Sequence, residues 1–213
     1  MKLQTERYET QASCWPPTGR HILAYFDDSS IVVYQAYRPS IGRFAVANGK
    51  LGGPEFSFSR MSWIKTSFLW MMYRSGWGTK EGQEVTLALR IRRTFFDSLL
   101  ARAVPSTCPV DYPGGHGAWK AAVVASEVRL QWDPDHSPTG EEQERRAIQL
   151  GLRGAALKAF AGPEMIEVMD ISDFVGAQRR PVGQSELGAV RSPVERTYPL
   201  GEALSSHLHA SPR

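Results

Sequence analysis

Residues 56–78, FSFSRMSWIKTSFLWMMYRSGWG, form the segment on which the fold of this chain depends. The segment concentrates tryptophan, methionine and phenylalanine around three cations, Arg60, Lys65 and Arg74. A plain hydrophobic core would exclude these cations, because lysine and arginine are rarely buried without a partner. The mixture therefore predicts that this segment both forms core and lines a functional site.

Length and composition bound the class of protein. A chain of 213 residues suits one domain with a substantial core, and its 42% hydrophobic and 22% charged residues are ordinary for a globular protein. No apolar run approaches the roughly 18 residues of a membrane-spanning helix. Residues 1–15 carry charge where a signal peptide is apolar, and Cys14 and Cys108 have no disulfide or metal-ligand spacing. We predict a cytoplasmic protein with no membrane partner.

The charge balance and the absence of several motifs limit the range of possible functions. The formal net charge is +3, with basic and acidic residues interspersed. This balance permits a nucleotide or nucleic-acid partner, and it is equally typical of a merely soluble surface. The Walker loop, the dinucleotide-binding glycine motif, the HExxH motif and the GxSxG motif are absent. The histidines are scattered, so we predict no metal site.

The periodicity of apolar residues mixes strands and helices along the chain. Alternation predicts strands at 31–37 and 84–92. Further strands are expected at 56–62, 127–132, 147–152 and 165–171, and helices at 39–48, 64–74, 94–100, 118–125 and 153–161. Residues 135–145 are expected to form an exposed, hairpin-like excursion. This order predicts an α+β fold with a mostly antiparallel sheet and flanking helices.

Composition divides the chain into three parts. Residues 1–19 are polar and end in Pro16-Pro17-Thr18-Gly19, which predicts an N-terminal arm. Residues 20–175 are expected to form a single α+β domain. Residues 176–213 are rich in Pro, Gly, Ser and Arg, which predicts a C-terminal tail that is largely disordered unless it docks on the domain.

Four motifs carry a resemblance to a known family. They are VVYQAY at 32–37, FSRMSWIKTSFLWMMYRSGWGTKEGQE at 58–84, VRLQWDPD at 128–135 and RAIQLGLRG at 146–154. Through them the chain resembles the family designated domain of unknown function 4291, over roughly residues 20–175. It departs from the family pattern at Thr66, Asp135 and Ala147, where proline, glutamate and serine are common. None of these departures removes a motif.

The order of elements is also similar to that of the ADP-ribosyltransferase superfamily. A strand with Tyr34 and Gln35 leads to a helix that closes at Gly49, and a serine-containing strand with Ser59 leads to a helix that ends at Tyr73. The similarity implies a split sheet around an NAD-binding cleft, with Gln35 and Ser59 facing each other. Gln35 stands where the superfamily has His or Arg, and it brings no charge to the pyrophosphate.

This similarity implies roles for individual residues. Cleavage of the nicotinamide glycosidic bond needs groups that hold the ribose and pyrophosphate, stack on the nicotinamide and place a carboxylate near the sugar. We expect Gln35 in the catalytic site, with Asp133 preferred over Glu127 as the carboxylate. The expected NAD contacts are Tyr34, Tyr37, Ser59, Arg60, Trp63, Lys65, Trp70, Tyr73, Arg74, Gln131 and Gln149.

Structural roles remain open for the same residues. Gln35 is also typical of a buried amide satisfied by a neighbouring strand, Asp133 before Pro134 is typical of a turn, and the tryptophans are typical of core. The first hypothesis is an ADP-ribosyltransferase-like enzyme that transfers ADP-ribose to an unidentified acceptor, with nucleic acid favoured by the mild basicity. The alternative is a non-catalytic RNA- or nucleotide-binding module in which Trp63, Trp70 or Trp77 of residues 56–78 stack on bases.

Overall fold

The computed structural model describes residues 3–211. Its strands are β1 Thr5–Arg7, β2 Gly19–Arg20, β3 Leu23–Ala24, β4 Ser30–Tyr37, β5 Ser62–Lys65, β6 Val85–Arg92, β7 Val104–Pro105, β8 Val128–His136, β9 Glu142–Leu152, β10 Met165–Asp170, β11 Arg191–Pro193 and β12 Arg196–Thr197. Its α-helices are α1 Tyr8–Ala12, α2 Pro39–Asn48, α3 Phe68–Ser75, α4 Arg93–Arg102, α5 Gly115–Ala125, α6 Gly154–Ala161, α7 Ser172–Gly183 and α8 Glu202–Leu208.

The central sheet has the strand order β10-β6-β4-β5-β9-β8-β7, with β2 alongside β9. Within it, β2–β9 and β7–β8 are parallel and the other pairings are antiparallel. Helices pack on both faces. The predicted α+β class and mostly antiparallel sheet with flanking helices are confirmed. The predicted split of the sheet is wrong, because β4 pairs with β5 and the strands form one continuous sheet.

Backbone pairing is sparse in the middle of the sheet, between β4 and β5. β4 pairs with β6 over its whole length, from Ser30 to Tyr37, but it pairs with β5 only where Tyr34 lies opposite Lys65. The side chain of Gln35 bridges the strands beyond that point: its Nε2 donates to the Ser62 Oγ at 2.8 Å and to the Trp63 carbonyl at 2.9 Å. We call this narrow junction between β4 and β5 the seam.

The seam exists because β5 is short and begins late. The strand predicted at 56–62 is wrong, since residues 56–61 are irregular and β5 begins at Ser62. The helix predicted from residue 64 begins at Phe68 instead, because the Ser67 hydroxyl accepts a hydrogen bond from the Trp70 amide and caps it. Gly76, at φ 58°, ends the helix in the left-handed conformation that glycine adopts without strain.

The two faces of the sheet bury separate cores. Val33 of β4 belongs to the cluster covered by α4 and α6, whereas Val32 and Tyr34 belong to the cluster covered by α3 and α7. The alternation predicted for β4 is therefore confirmed. The resulting order of layers places α3, which carries Trp70, on the same face as Tyr34.

The hairpin of β8 and β9 is longer than predicted. β8 extends to His136 and β9 begins at Glu142, so most of the expected excursion at 135–145 is paired strand. Arg145 contacts the Asp135 Oδ2 through Nε and Nη2, each at 2.8 Å, and both side chains are buried. The sequence pattern misses this extension because its charged residues neutralise each other instead of facing water.

Both ends of the chain pack against the domain. β1 pairs with β11, and Tyr198 and Leu208 lie in the core. Glu195 is buried and accepts a hydrogen bond from the Phe68 amide at 2.8 Å, so the C-terminal segment also caps α3. The part of the expected tail at 176–211 therefore docks, and the predicted boundary at 175 falls inside α7. No helix within residues 3–211 is long and apolar enough to span a membrane.

Candidate functional site

A cavity of about 650 Å³ opens at the seam. It is lined by segments that are far apart in the sequence, from β4, the turn before β5, α3, the turn before β6, β8 and β9. Several residues predicted as site residues are among its lining: Gln35, Tyr37, Arg60, Trp63, Lys65, Arg74, Gln131 and Gln149. Trp70, expected to stack on a ring, lines it as well.

The lining of this cavity is cationic. It carries Arg38, Arg60, Lys65 and Arg74, and one carboxylate, that of Glu81. Arg60 and Arg74 are exposed and form no ion pair among the residues that the structure describes. Such an excess of positive charge in a concave surface attracts anionic ligands.

Lys65 is the most unusual group in the cavity. Its side chain is 5% exposed and its Nζ lies 4.7 Å from the centroid of the Trp70 ring, which supports the charge through a cation–π contact. Burial first, and then the neighbouring Arg74, lower the pKa of Lys65 to about 8, against a smaller opposing effect of Asp133. A buried amine without an ion pair is costly. An anionic ligand in the cavity would offset that cost.

A row of polar side chains crosses the floor of the cavity. Lys65 on β5 lies opposite Gln149 on β9, and Gln149 lies opposite Gln131 on β8. The Gln149 Nε2 donates to the Asp133 Oδ2 at 2.6 Å and to the Gln131 Oε1 at 3.2 Å. These bonds fix the amide of Gln149, whose Oε1 accepts no hydrogen bond among the described residues and is therefore available to a ligand hydroxyl.

Asp133 lies beside this row, next to Gln149, and does not itself line the seam cavity. Burial is the largest influence on its carboxyl group and raises the pKa, while the hydrogen bond from Gln149 and the charge of Lys65 oppose the rise. A carboxylate with a raised pKa binds a proton more readily than an ordinary aspartate. Asp133 is a β8 residue paired with Ala147, not the turn former that the following proline suggested.

Both polar atoms of the Gln35 side chain form hydrogen bonds within the protein. In addition to its two donated bonds across the seam, its Oε1 accepts a hydrogen bond from the Tyr37 hydroxyl at 2.8 Å. Its contacts match the structural alternative of a buried amide satisfied by a neighbouring strand. The partner across the seam is Ser62 and not Ser59 as expected. Burial raises the pKa of Tyr37, so its hydroxyl stays protonated and keeps this bond.

Three predicted contacts lie outside the cavity. Tyr34 is buried under α3 in edge contact with Phe68, on the far side of the sheet from Gln35. Ser59 is exposed in the turn before β5, with its hydroxyl near Ser57. Tyr73 is 45% exposed and stacks on His136, with a centroid distance of 3.6 Å. Tyr34 faces away from Gln35 because side chains alternate along β4, whereas Ser59 and Tyr73 are displaced because β5 and α3 begin later in the chain than the sequence pattern indicates. The structure therefore does not bring these three residues together with the lining of the cavity.

Glu127, the second carboxylate considered for catalysis, has a structural role and does not line the seam cavity. Its Oε1 accepts a hydrogen bond from the Ala155 amide at 2.7 Å and its Oε2 accepts one from the Ala156 amide at 3.2 Å. It therefore caps the first turn of α6, where a negative charge also complements the helix dipole. Gly154 has no side chain to clash with that carboxylate.

The tryptophans of residues 56–78 differ in accessibility. Trp77 is buried, and its Nε1 donates to the Pro138 carbonyl at 3.1 Å. Trp70 is buried with one ring face occupied by Lys65, whereas Trp63 is only partly buried. The stacking surface expected for an RNA-binding module is thus reduced to Trp63.

Several residues that line the cavity were not predicted from the sequence. Arg38 follows β4 directly, and its exposed side chain pairs with Glu55 at 3.3 Å. Met61, Ser62 and residues 81–83 complete the rim. The motif TKEGQE offered a signal for residues 81–83, because a polar turn between two core elements is a common place for ligand contacts.

No group of three or more His, Cys, Asp or Glu side chains within residues 3–211 is arranged to hold a metal ion. The fold and the cavity define an α+β protein with one mostly antiparallel sheet and a cationic cleft at its seam. The chain belongs to the family described as domain of unknown function DUF4291, whose model matches residues 21–198. No match to a curated protein was found.

Proposed function

We propose that this chain is an ADP-ribosyltransferase-like enzyme that binds NAD in the seam cavity and transfers ADP-ribose to an acceptor. The observation that carries the proposal is the convergence of Arg60, Lys65, Arg74 and Gln149 on one cavity at the seam. These residues were expected in an NAD site from the order of elements. Their convergence from separate segments supports a common ligand.

The chemistry of the lining suits the parts of NAD. Arg60 and Arg74 are planar donors for the pyrophosphate oxygens, and Trp63 offers a partly exposed ring for stacking. Lys65, deeper in the cavity, brings a positive charge to a phosphate oxygen. The free Oε1 of Gln149 accepts from a ribose hydroxyl.

The reaction passes through an oxocarbenium-like ribose. The bond between the ribose C1′ and the nicotinamide nitrogen breaks, and its electron pair leaves with the neutral nicotinamide. The carbonyl dipole of Gln149 and the nearby carboxylate of Asp133 stabilise positive charge on the sugar, because their hydrogen bond fixes both groups before the reaction. Gln35 acts indirectly, by holding the seam together.

Thermal shift and nicotinamide release test the proposal. NAD should raise the melting temperature of the full chain, and the shift should be smaller in Arg60→Ala and Arg74→Ala. Arg43→Ala is the matched control, since Arg43 is exposed on α2 outside the cavity. Gln149→Ala should reduce nicotinamide release. Absence of any NAD-dependent shift in the wild-type chain would contradict the proposal, and salt-sensitive binding of single strands without nicotinamide release would favour the RNA-binding module.

A further inference from the structure

A second cavity of about 650 Å³ lies next to the first, along the outer edge of β8. The short β7 covers this edge only at Arg129 and Leu130, so the edge beyond them is left to the second cavity. Gln131 lines both cavities. Asp133 lines the second cavity and accepts a hydrogen bond from Gln149, which lines the seam cavity. The two cavities therefore meet at the Gln131–Asp133 edge.

Two arginines stand side by side in the second cavity. Arg20 of β2 lies directly opposite Arg146 of β9, and neighbouring strands are about 4.8 Å apart. Like charges in directly opposed positions of a sheet repel each other. Both side chains are exposed, and neither forms an ion pair among the described residues. A bound anion would relieve this repulsion.

We propose that the second cavity holds the acceptor, and that the acceptor is single-stranded nucleic acid with a phosphate on Arg20 and Arg146 and a hydroxyl at Asp133. This inference rests on the proposed function, because it assigns the partner substrate of the same reaction. It gives the two arginines and the carboxylate one shared ligand.

The acceptor hydroxyl, the ribose and Asp133 account for every bond and proton in the transfer step. The acceptor oxygen forms a bond to the ribose C1′ while the bond from C1′ to nicotinamide breaks, and the hydroxyl proton goes to Asp133. The raised pKa of Asp133, caused mainly by its burial, makes the carboxylate a better proton acceptor. Asp133 is the general base in this step.

The arrangement favours a nucleic acid over an acidic protein. An RNA nucleotide carries a phosphate and a 2′-hydroxyl in one unit, and a DNA strand offers a hydroxyl at its 3′ end. Guanidinium groups can therefore bind the phosphate while the carboxylate receives the proton of the hydroxyl. The carboxylate nucleophile of an acidic peptide would instead be repelled by Asp133, and Asp111, which also lines the second cavity, adds to that repulsion.

Fluorescence anisotropy with a short labelled single-stranded oligonucleotide tests the inference. The Arg20→Gln/Arg146→Gln double variant should bind about ten-fold more weakly than the wild-type chain, and its salt slope should fall by about 0.7 for each phosphate that is no longer neutralised. Arg43→Gln, an exposed charge removed from α2, should bind like the wild-type chain. Asp133→Asn should bind the oligonucleotide but transfer much less label to it from labelled NAD.

The outcomes separate the inference from the proposed function. Three results would overturn the inference: unchanged binding by the double variant, displacement of the oligonucleotide by NAD, or preferential binding of a polyglutamate peptide. In each case, an NAD-dependent thermal shift would still support the enzyme. Retention of that thermal shift in the double variant, together with weaker oligonucleotide binding, supports both. Absence of the shift in the wild-type chain would remove the acceptor role along with the proposed function.

Discussion

At the scale of single residues, the burial of Lys65 in the seam cavity lowers the stability of the folded protein. Lys65 is buried without an ion pair, and its amine is supported by one ring contact with Trp70. A residue that destabilises the folded protein and lines a cavity is typical of a functional site. The same burial that makes Lys65 costly also leaves its charge poorly screened, so a phosphate oxygen beside it would bind more strongly than at the surface.

Lys65 should make stability depend on pH. Its pKa falls from 10.5 to about 8 on folding, so between these values the unfolded chain binds more protons than the folded one. The free energy of unfolding should therefore rise by about 3 kcal/mol from pH 8 to pH 10.5. In Lys65→Met this rise should vanish and stability at neutral pH should increase. Urea denaturation across this pH range measures both effects.

The control for this experiment is Lys50→Met, which removes an exposed lysine just beyond α2. It should retain the pH dependence of the wild-type chain. An equal rise in stability for Lys65→Met and the wild-type chain would show that another group causes it.

Glu127 should matter for stability and not for ligand binding. Glu127→Ala removes the acceptor for the Ala155 and Ala156 amides at the start of α6, which should cost about 1 kcal/mol. Binding of NAD should be unchanged, because Glu127 does not line the seam cavity. Chemical denaturation and calorimetric titration check the two halves of this prediction, with Glu144→Ala, an exposed glutamate of β9, as the control. A loss of nicotinamide release with unchanged stability would restore the catalytic role.

At the scale of elements, the seam depends on one side chain. Gln35→Met keeps about the same side-chain volume but removes the hydrogen bonds of Gln35 with the Ser62 hydroxyl, the Trp63 carbonyl and the Tyr37 hydroxyl. The two hydroxyls still lie 3.3 Å apart. The substitution should destabilise the protein by about 2 kcal/mol. Amide hydrogen exchange should accelerate in β5, which has one backbone pairing to β4, and much less in β6. Equal acceleration in both strands would mean that Gln35 does not hold the seam.

The longer strands of the central sheet and the helices α2 to α6 could be predicted from the sequence. The strand at 84–92 and the helix after Pro39 follow periodicity and punctuation. The error around residues 56–68 arose because Phe56 and Phe58 alternate with serine as in a strand while Ile64 and Phe68 have helical spacing, which hides the change from turn to strand to helix. That error displaced Ser59 and Tyr73 from the predicted site but left Arg60, Lys65 and Arg74 in it.

At the scale of the whole molecule, the termini complete the fold. Sequence composition at 176–211 hides a few isolated core residues, such as Tyr198 and Leu208, among polar neighbours. The Glu195 carboxyl caps α3 from the far end of the chain, and burial raises its pKa well above the ordinary value. Such long-range contacts leave no local pattern, so the sequence alone could not predict them.

A fragment of residues 20–175 should therefore fail to fold cooperatively. It lacks the core side chains Val190, Tyr198 and Leu208, each of which contributes about 1.5–3 kcal/mol, against a total stability of about 5–15 kcal/mol for a typical protein. Circular dichroism during heating should show a broad loss of structure for this fragment, whereas the full chain should melt in one sharp transition. A sharp transition in the shorter fragment would show that the termini are dispensable.

The central claim is that the cavity at the seam between β4 and β5 is the NAD site. Amide hydrogen exchange of the full chain with and without NAD tests it most directly. Our account predicts slower exchange at residues 35–38, 60–65 and 70–74 when NAD is present. No slowing, or slowing confined to the C-terminal segment around α8, would contradict it.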